Sequence, residues 1–280
     1  GGAGAAVAWE DAGGGGASVL GDLTDVSMDI TNFTGSLLIQ TNSDGSAPTT
    51  GTLNAANNNV GIGTDVFKAL TEGDANVGIG YQALDALTTG DSNVAIGESA
   101  GTALTTGQYN TLVGYLAGGA LVGTHENTAI GYAAGAAMTG DRNTALGMYC
   151  YDAATSEDNN VAIGYQALSG AVNGGEQNVA VGNFALNAMT SADSNVAVGY
   201  SALTGATTGG SNVCVGVVAG QNITEGFSNI CIGPGTGGTL TTGDYNVCIG
   251  DTANVSSADV VMAIAIGQGV AASSNDFSFG

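Results

Sequence analysis

Positive charge is almost absent from this 280-residue sequence. Two cationic residues, Lys68 and Arg142, stand against 24 Asp and Glu residues, and the formal net charge is −22. Such a chain repels phosphate backbones and anionic lipids, which argues against nucleic acid and anionic membranes as partners. Charged residues make up only 9 % of the chain, against about 25 % in a typical soluble domain. Cationic partners and divalent ions remain compatible with this composition.

Long apolar runs are lacking as well. A stretch such as residues 260–266 is far shorter than the roughly 20 apolar residues of a membrane-spanning helix. The N-terminal sequence GGAGAAVAWEDAGGGG has no basic start of the kind found in secretory signal peptides. We therefore expect a soluble chain without membrane insertion. Hydrophobic residues still reach 44 %, which argues against disorder.

The residues of common catalytic sites are scarce. His125 is the only histidine, so any Ser-His-Asp arrangement would depend on it. No G-x-S-x-G nucleophile elbow occurs, and the Gly-rich strings are not followed by the Gly-Lys-Thr of a phosphate loop. The sequence predicts no enzymatic activity, no catalytic residue and no organic cofactor.

One sequence unit repeats through most of the chain. Its signature is Asn-x-x-x-Gly, and we number the Asn as position one. Twelve such residues follow at intervals of 17, apart from one interval of 16 and one of 18: Asn59, Asn76, Asn93, Asn110, Asn127, Asn143, Asn160, Asn178, Asn195, Asn212, Asn229 and Asn246. A thirteenth unit opens at Ala263. This regularity is typical of stacked coils, in which each unit contacts chiefly its neighbours.

Each position of the unit has its own residue type. Position five is always Gly, which indicates a turn of positive φ or a close backbone approach. Positions two and four are Val, Ile, Thr or Leu, the pattern of one buried strand face, and we expect them to fill the coil. The sequence thus predicts an all-β fold, a parallel β-solenoid or β-roll of about 13 coils. At about 4.8 Å per coil the stack would form a rod of roughly 60 Å.

Position three, between the Val and Ile columns, carries only small or apolar residues. Because it lies on the opposite strand face, we predict that it points outward and forms an oligomer interface along the rod. Three chains around one axis would cover such a stripe economically, so we expect a homotrimer. The predicted interface residues are Ala95, Leu112, Ala129, Ala145, Ala162, Ala180, Ala197, Cys214, Cys231 and Cys248.

The repeat also divides the chain. We expect a Gly-rich lead and a small β cap or attachment module over residues 1–58, the repeat shaft over residues 59–267, and a C-terminal tail or the start of a further region over residues 268–280. Within the first module, Ser36–Gln40 has the composition of a strand and Thr41–Gly45 that of a turn.

The strand N-V-A-I-G, followed by a turn with spaced Gly and Ala residues, resembles the head repeats of trimeric autotransporter adhesins. The elements G-Y-Q-A-L and T-T-G-D, and the segment Leu20–Val26, are similar to repeat regions of bacteriophage tail-fibre proteins. The resemblance covers residues 59–267 and implies a left-handed trimeric β-roll that serves adhesion or fibre architecture. The stalk heptads, membrane anchor and chaperone domain of such proteins have no visible counterpart in this sequence. Whether a longer chain or other proteins supply them is left open.

Two further columns could hold metal ions. Carboxylates precede the Asn by two places at Asp74, Asp91, Asp141, Asp158, Glu176, Asp193 and Asp244. Like charges about 5 Å apart repel by about 0.8 kcal/mol even in water, so weak calcium binding is one hypothesis and a solvated acidic edge is the other. Cys214, Cys231 and Cys248 should stack in consecutive coils, and small buried hydrophobic residues are the favoured interpretation over a soft-metal site.

Two polar or aromatic columns complete the unit. We interpret the Asn column as a ladder of side-chain hydrogen bonds, in preference to a sugar-binding row. Tyr81, Tyr115, Tyr132, Tyr165 and Tyr200 at position six form an interrupted aromatic row, which could cover a corner of the coil or stack on glycans.

These features predict a structural fibre or adhesin subunit. The leading hypothesis is a phage tail-fibre shaft or host-attachment protein, and the alternatives are a bacterial trimeric adhesin head and a monomeric ice-binding or matrix solenoid with Thr rows. The expected partners are two further copies, other fibre or virion proteins, and a cell-surface glycan or protein receptor. The expected location is extracellular, on a virion tail fibre or a bacterial surface.

Overall fold

A computed structural model describes residues 9–10, 16–17, 26–30, 33–39, 55–153, 156–170 and 173–280. The fold is all-β, and none of these residues lies in a helix. The first strands are β1 (Trp9–Glu10), β2 (Gly16–Ala17), β3 (Val26–Ile30) and β4 (Phe33–Ile39). Twelve coils then contribute β5 (Val60–Ile62), β6 (Val77–Ile79), β7 (Val94–Ile96), β8 (Thr111–Val113), β9 (Thr128–Ile130), β10 (Thr144–Leu146), β11 (Val161–Ile163), β12 (Val179–Val181), β13 (Val196–Val198), β14 (Val213–Val215), β15 (Ile230–Ile232) and β16 (Val247–Ile249). The last are β17 (Asn254–Val255), β18 (Ile264–Ile266), β19 (Ala271–Ala272) and β20 (Phe277–Phe279).

The repeat strands form one long parallel sheet. Its 16 strands run from β3 and β4 through β5 to β16 in chain order and then through β18 to β20, and only the β3–β4 pair is antiparallel. Equivalent positions pair in register from coil to coil, as Ala145 does with Ala162. This confirms the predicted parallel β-solenoid of about 13 coils.

Both ends of the repeat continue into the same sheet. The strand predicted at Ser36–Gln40 is found within β4, which pairs in parallel with the first coil at Leu37 and Val60. Gln40 and the turn predicted at Thr41–Gly45 lie outside the described residues. At the other end, β20 pairs with β18 and β19 pairs with β17, so the stack continues beyond residue 267 to Phe279.

Backbone hydrogen bonds join neighbouring coils on every side, not only along the strands. The N–H groups of Val77, Leu84 and Thr88 donate to carbonyls of the following coil at 2.8, 3.1 and 2.9 Å. Those of Gln82 and Ser92 donate to the preceding coil, each at 2.9 Å. The turns therefore stack as regularly as the strands, which satisfies backbone groups that a loop would leave to water.

The turns are built from left-handed backbone conformations. Gly80 at position five has φ of 133°, and a Cβ there would lie 2.5 Å from the carbonyl oxygen of Gly97. Positive φ and close backbone approach, the two reasons for glycine expected from the sequence, therefore both apply at this position. Non-glycine residues also adopt positive φ in each coil, as at Gln82, Leu84 and Ser92 with 54°, 53° and 58°. Each such residue costs of order 1 kcal/mol, which the stacked hydrogen bonds offset.

The predicted assignment of the two strand faces was wrong. The side chain of position three points into the coil, and Val or Ile at positions two and four point outward and stay partly exposed. The reason is steric, since the interior is narrow and is already occupied by side chains from positions eight, nine and twelve. A Cβ on Gly61 at position three would lie 2.8 Å from Cδ2 of Phe67.

In the first and fourth coils, the side-chain sizes at positions three and nine compensate for one another. Gly61 at position three faces Phe67 at position nine in the first coil. Leu112 at position three is matched by Gly118 at position nine, where a Cβ would lie 2.6 Å from Cδ2 of Leu112. In these two coils Gly at one position makes room for a large side chain at the other, as close packing requires.

Candidate functional site

The largest candidate interaction surface is the outward strand face. We call it the Val/Ile face, and it comprises positions two and four of β5 to β16 and β18. Its side chains are about a tenth to two fifths exposed, and the upper values include 39 % for Ile62, 42 % for Leu146 and 40 % for Ile232. All of its residues are Val, Ile, Leu or Thr, and position four is aliphatic in every coil. A face without charge is thus present on a chain with a formal charge of −22.

The area of this face matches or exceeds the largest apolar patch of a typical monomer. Fully burying an aliphatic side chain removes roughly 100 Å² from water. Five of the 26 side chains are about two fifths exposed and the others between about a tenth and a third, which gives roughly 400 to 900 Å². The largest apolar patch on a monomer is about 300 to 600 Å². A standard protein interface buries about 800 Å² per partner, which the Val/Ile face can supply.

The ten residues predicted as the oligomer interface cannot serve that role. Each of them is completely buried inside the single chain: Ala95, Leu112, Ala129, Ala145, Ala162, Ala180, Ala197, Cys214, Cys231 and Cys248. They form the core of the coil, and the surface available to a partner is the opposite strand face. Strand alternation shows that two faces exist, and the size relations of Gly61 with Phe67 and of Leu112 with Gly118 are a sequence signal for which face is inside.

The Asn column is a buried hydrogen-bond ladder, as predicted. All twelve side chains are inaccessible to solvent. The Oδ1 of Asn229 accepts from both the backbone N–H and the Nδ2 of Asn246 at 3.0 Å, and its own Nδ2 donates to the carbonyl of Gly243 at 2.8 Å. The column therefore joins each coil to the next and also closes each turn, and its burial excludes contact with a sugar.

The carboxylate file has a structural function of the same kind. The Oδ1 atoms of Asp91, Asp158 and Asp193 accept backbone N–H groups of the preceding coil at 2.8, 2.7 and 2.8 Å. Asp74, Asp141 and Asp244 accept in the same way, and Glu176 donates its own N–H to Asp193. Charge-assisted hydrogen bonds of this type offset part of the repulsion between neighbouring coils.

Metal binding has no preformed site in the described ranges. No group of three or more His, Cys, Asp or Glu side chains there is arranged to hold an ion. Calcium binding along the carboxylate file stays a prediction, and a thermal melt that does not change when calcium is removed would contradict it.

His125 takes the place of the file's carboxylate in its own coil. Its Nδ1 accepts the backbone N–H of Gln108 at 3.1 Å, and its backbone N–H donates to Oδ1 of Asp141 at 2.8 Å. His125 is thus a half-buried repeat variant at the turn, and its Nδ1 takes part in coil stacking.

The cysteines are buried thiols without disulfides. Cys214, Cys231 and Cys248 pair in register in β14, β15 and β16, and Cys150 lies alone at position eight. A hydrogen bond with Cys214, together with burial, raises the pKa of Cys231, and burial raises the pKa of Cys150 to about 12. Cys150 and Cys231 therefore remain protonated at neutral pH. All four thiols lie inside the coil, where a thiol of another chain cannot reach them.

An aromatic file lies along the corner that follows the Val/Ile face. Tyr115 and Tyr132 stack with ring centroids 5.0 Å apart, and Tyr149 contacts Tyr132 edge-on at 5.3 Å. Phe184 bridges Tyr165 and Tyr200 at 5.3 and 5.9 Å. Tyr149 and Phe184 come from position seven, so the column of position six alone did not reveal them. Tyr81 belongs to the predicted row and is 42 % exposed, without a ring contact in the described residues.

The Thr rows lie in turns, and the first threonine of each pair is hydrogen-bonded to the backbone. The Oγ1 atoms of Thr88, Thr105 and Thr241 donate to carbonyls of the following coil at 3.0, 3.1 and 3.4 Å. An ice-binding surface needs regular rows of free hydroxyls on a flat strand face, and here that face is aliphatic except at three residues of position two. This arrangement argues against the ice-binding alternative.

Comparison with protein-family models, curated proteins and solved structures found no match to this chain. Within the described ranges, no helix has the length and apolar character needed to cross a membrane.

Proposed function

We propose that this chain is a structural subunit of an extracellular fibre, in which copies associate side by side through the Val/Ile face. The observation that carries the proposal is an uncharged, mainly aliphatic face of roughly 400 to 900 Å² that runs along all 13 coils. A second copy is the partner that fits this face best, because it offers an apolar strip of equal length and equal rise per coil.

The stacked coils supply the rigidity that a fibre needs. Every coil is joined to the next by strand pairing, turn hydrogen bonds and the Asn ladder. The side chains that leave the stack elsewhere are chiefly acidic, short polar or aromatic. A rod with such a surface fits a spacer or an attachment organ better than an enzyme.

The finer assignment rests on the sequence resemblance. It favours a homotrimer in a phage tail fibre, located on the virion and joined to other fibre proteins, with a bacterial adhesin head as the alternative. A host glycan or protein receptor would then meet the outward turns or the aromatic file.

Electron microscopy of the unmodified chain and of an I96K/I232K variant tests the proposal. Both side chains point outward and are 38 % and 40 % exposed, so lysine should leave the coil intact while placing unpaired charges in the interface. We expect rods about 60 Å long in both samples. The rods of the unmodified chain should be thick, because several copies lie side by side, and those of the variant should be thinner. The exposed turn substitution T208K is the matched control and should keep the thick rods. Thin rods in all three samples would refute assembly through this face.

A further inference from the structure

The Val/Ile face has one polar interruption. Position two is Thr in three consecutive coils, at Thr111, Thr128 and Thr144, whereas its ten other residues are Val or Ile. The three side chains are neighbours in one column, since Thr111 pairs in register with Thr128 and Thr128 with Thr144. They are partly exposed, and none of their hydroxyls has a hydrogen-bond partner within the described part of the chain. We call this segment the Thr patch.

We propose that the Thr patch fixes the alignment of associated copies, which lie parallel and in register about an axis along the rod. This inference rests on the proposed function, because it presupposes that the Val/Ile face is covered by further copies. It adds which residues select this arrangement over copies that are displaced along the rod or run in opposite directions.

The rest of the face cannot set the alignment. Its residues are aliphatic and repeat with nearly the same rise in every coil, so a copy displaced by one coil would meet almost the same surface. Hydrophobic burial has no direction and discriminates poorly between such displaced arrangements. An additional feature is therefore needed to select one alignment.

The hydroxyls of the Thr patch provide that selection. A hydroxyl buried against Val or Ile loses its hydrogen bonds to water without replacement, which is unfavourable. When copies lie in register, the three hydroxyls of each copy come to the same height, where they can bond to one another or share water. If one copy is displaced by one coil, one Thr of the patch lies opposite an aliphatic residue. If it is displaced by three coils, all three Thr residues lie opposite aliphatic residues.

The place of the patch along the rod selects the orientation as well. The Thr residues belong to coils four, five and six of 13, which is off the centre of the stack. Antiparallel copies with full overlap would set coils four to six against coils ten to eight, where position two is Val213, Val196 and Val179. Parallel copies in register satisfy full overlap and Thr matching together.

Pulsed dipolar spectroscopy between spin labels tests this arrangement. The native cysteines are buried, so a label can be placed at T89C or at T208C, two exposed sites at the same position of coils two and nine. In parallel, in-register copies both sites should give the same single distance. Unequal distances at the two sites would overturn the parallel arrangement.

The triple substitution T111V/T128V/T144V tests the role of the hydroxyls. We expect the variant to keep the native mass of the assembly, while its distance distribution broadens to include copies displaced by whole coils of about 4.8 Å. The control T106V/T208V/T242V, labelled at T89C, changes exposed turn threonines and should keep the single distance. A triple variant that assembles with an unchanged single distance would overturn the inference. A monomer without dipolar signal would overturn the proposed function itself.

Discussion

Truncation of one rung of the Asn ladder should destabilise the stack strongly. Asn229 is fully buried, and the substitution Asn229→Ala removes the acceptor of the backbone N–H of Asn246 and the donor to the carbonyl of Gly243. The backbone N–H of residue 229 still donates to Oδ1 of Asn212 in the variant, a hydrogen bond of 2.9 Å. Two buried backbone groups thus lose their partners. At about 1 to 3 kcal/mol for each, the free energy of unfolding should fall by about 2 to 6 kcal/mol.

Hydrogen exchange of individual amides is the appropriate assay, together with denaturation at one fixed protein concentration. Because each coil contacts chiefly its neighbours, protection should fall most at the amide of residue 246 and in the two adjoining coils. Asn222→Ala is the matched control, since Asn222 is exposed and makes one side-chain bond, to the carbonyl of Gly238. Equal and small effects of the two substitutions would refute the structural function of the ladder.

Three further predictions follow from the packing, the turns and the thiols. Ala162→Leu should overfill the coil and lower the free energy of unfolding by about 1 to 3 kcal/mol in chemical denaturation. Val161→Ala, on the outward face, should leave the free energy of unfolding of the single chain nearly unchanged. A larger effect of Val161→Ala would contradict the assignment of faces. Ser211→Gly, at an exposed residue with φ of 59°, should raise the stability by about 0.5 to 1 kcal/mol in a melt, and Thr208→Gly, where φ is not positive, should lower it. A thiol reagent at pH 8 should label no cysteine in the native protein and all four after unfolding, because the thiols are buried and the pKa of Cys150 is raised to about 12; fast labelling of the native protein would refute this.

The repeat made the fold predictable. Intervals of 17 residues between Asn positions, with Gly at position five, specify a coil, and a coil that recurs can bury its backbone only by stacking on its own copies. The Asn ladder was predictable for the same reason, because a polar side chain at a fixed position of every coil must meet its equivalent above and below.

The inside and the outside of the coil were not predictable from alternation alone. Val and Ile usually occupy the core, and the sequence interpretation followed that tendency. In this narrow coil Ala162 at position three lies in a coil with Leu168 at position nine, whereas the larger Cys214 and Leu112 lie in coils with Gly220 and Gly118 at position nine. Only part of the aromatic file was predicted from the sequence, since its rings come from both position six and position seven.

The native mass of the unmodified chain, measured by sedimentation equilibrium, tests the central claim most directly. One chain has a mass of 27.0 kDa. Association through the Val/Ile face predicts a multiple of this value, and the proposed homotrimer predicts three times 27.0 kDa, about 81 kDa. A single species of 27.0 kDa that persists at high protein concentration and high salt would contradict the account.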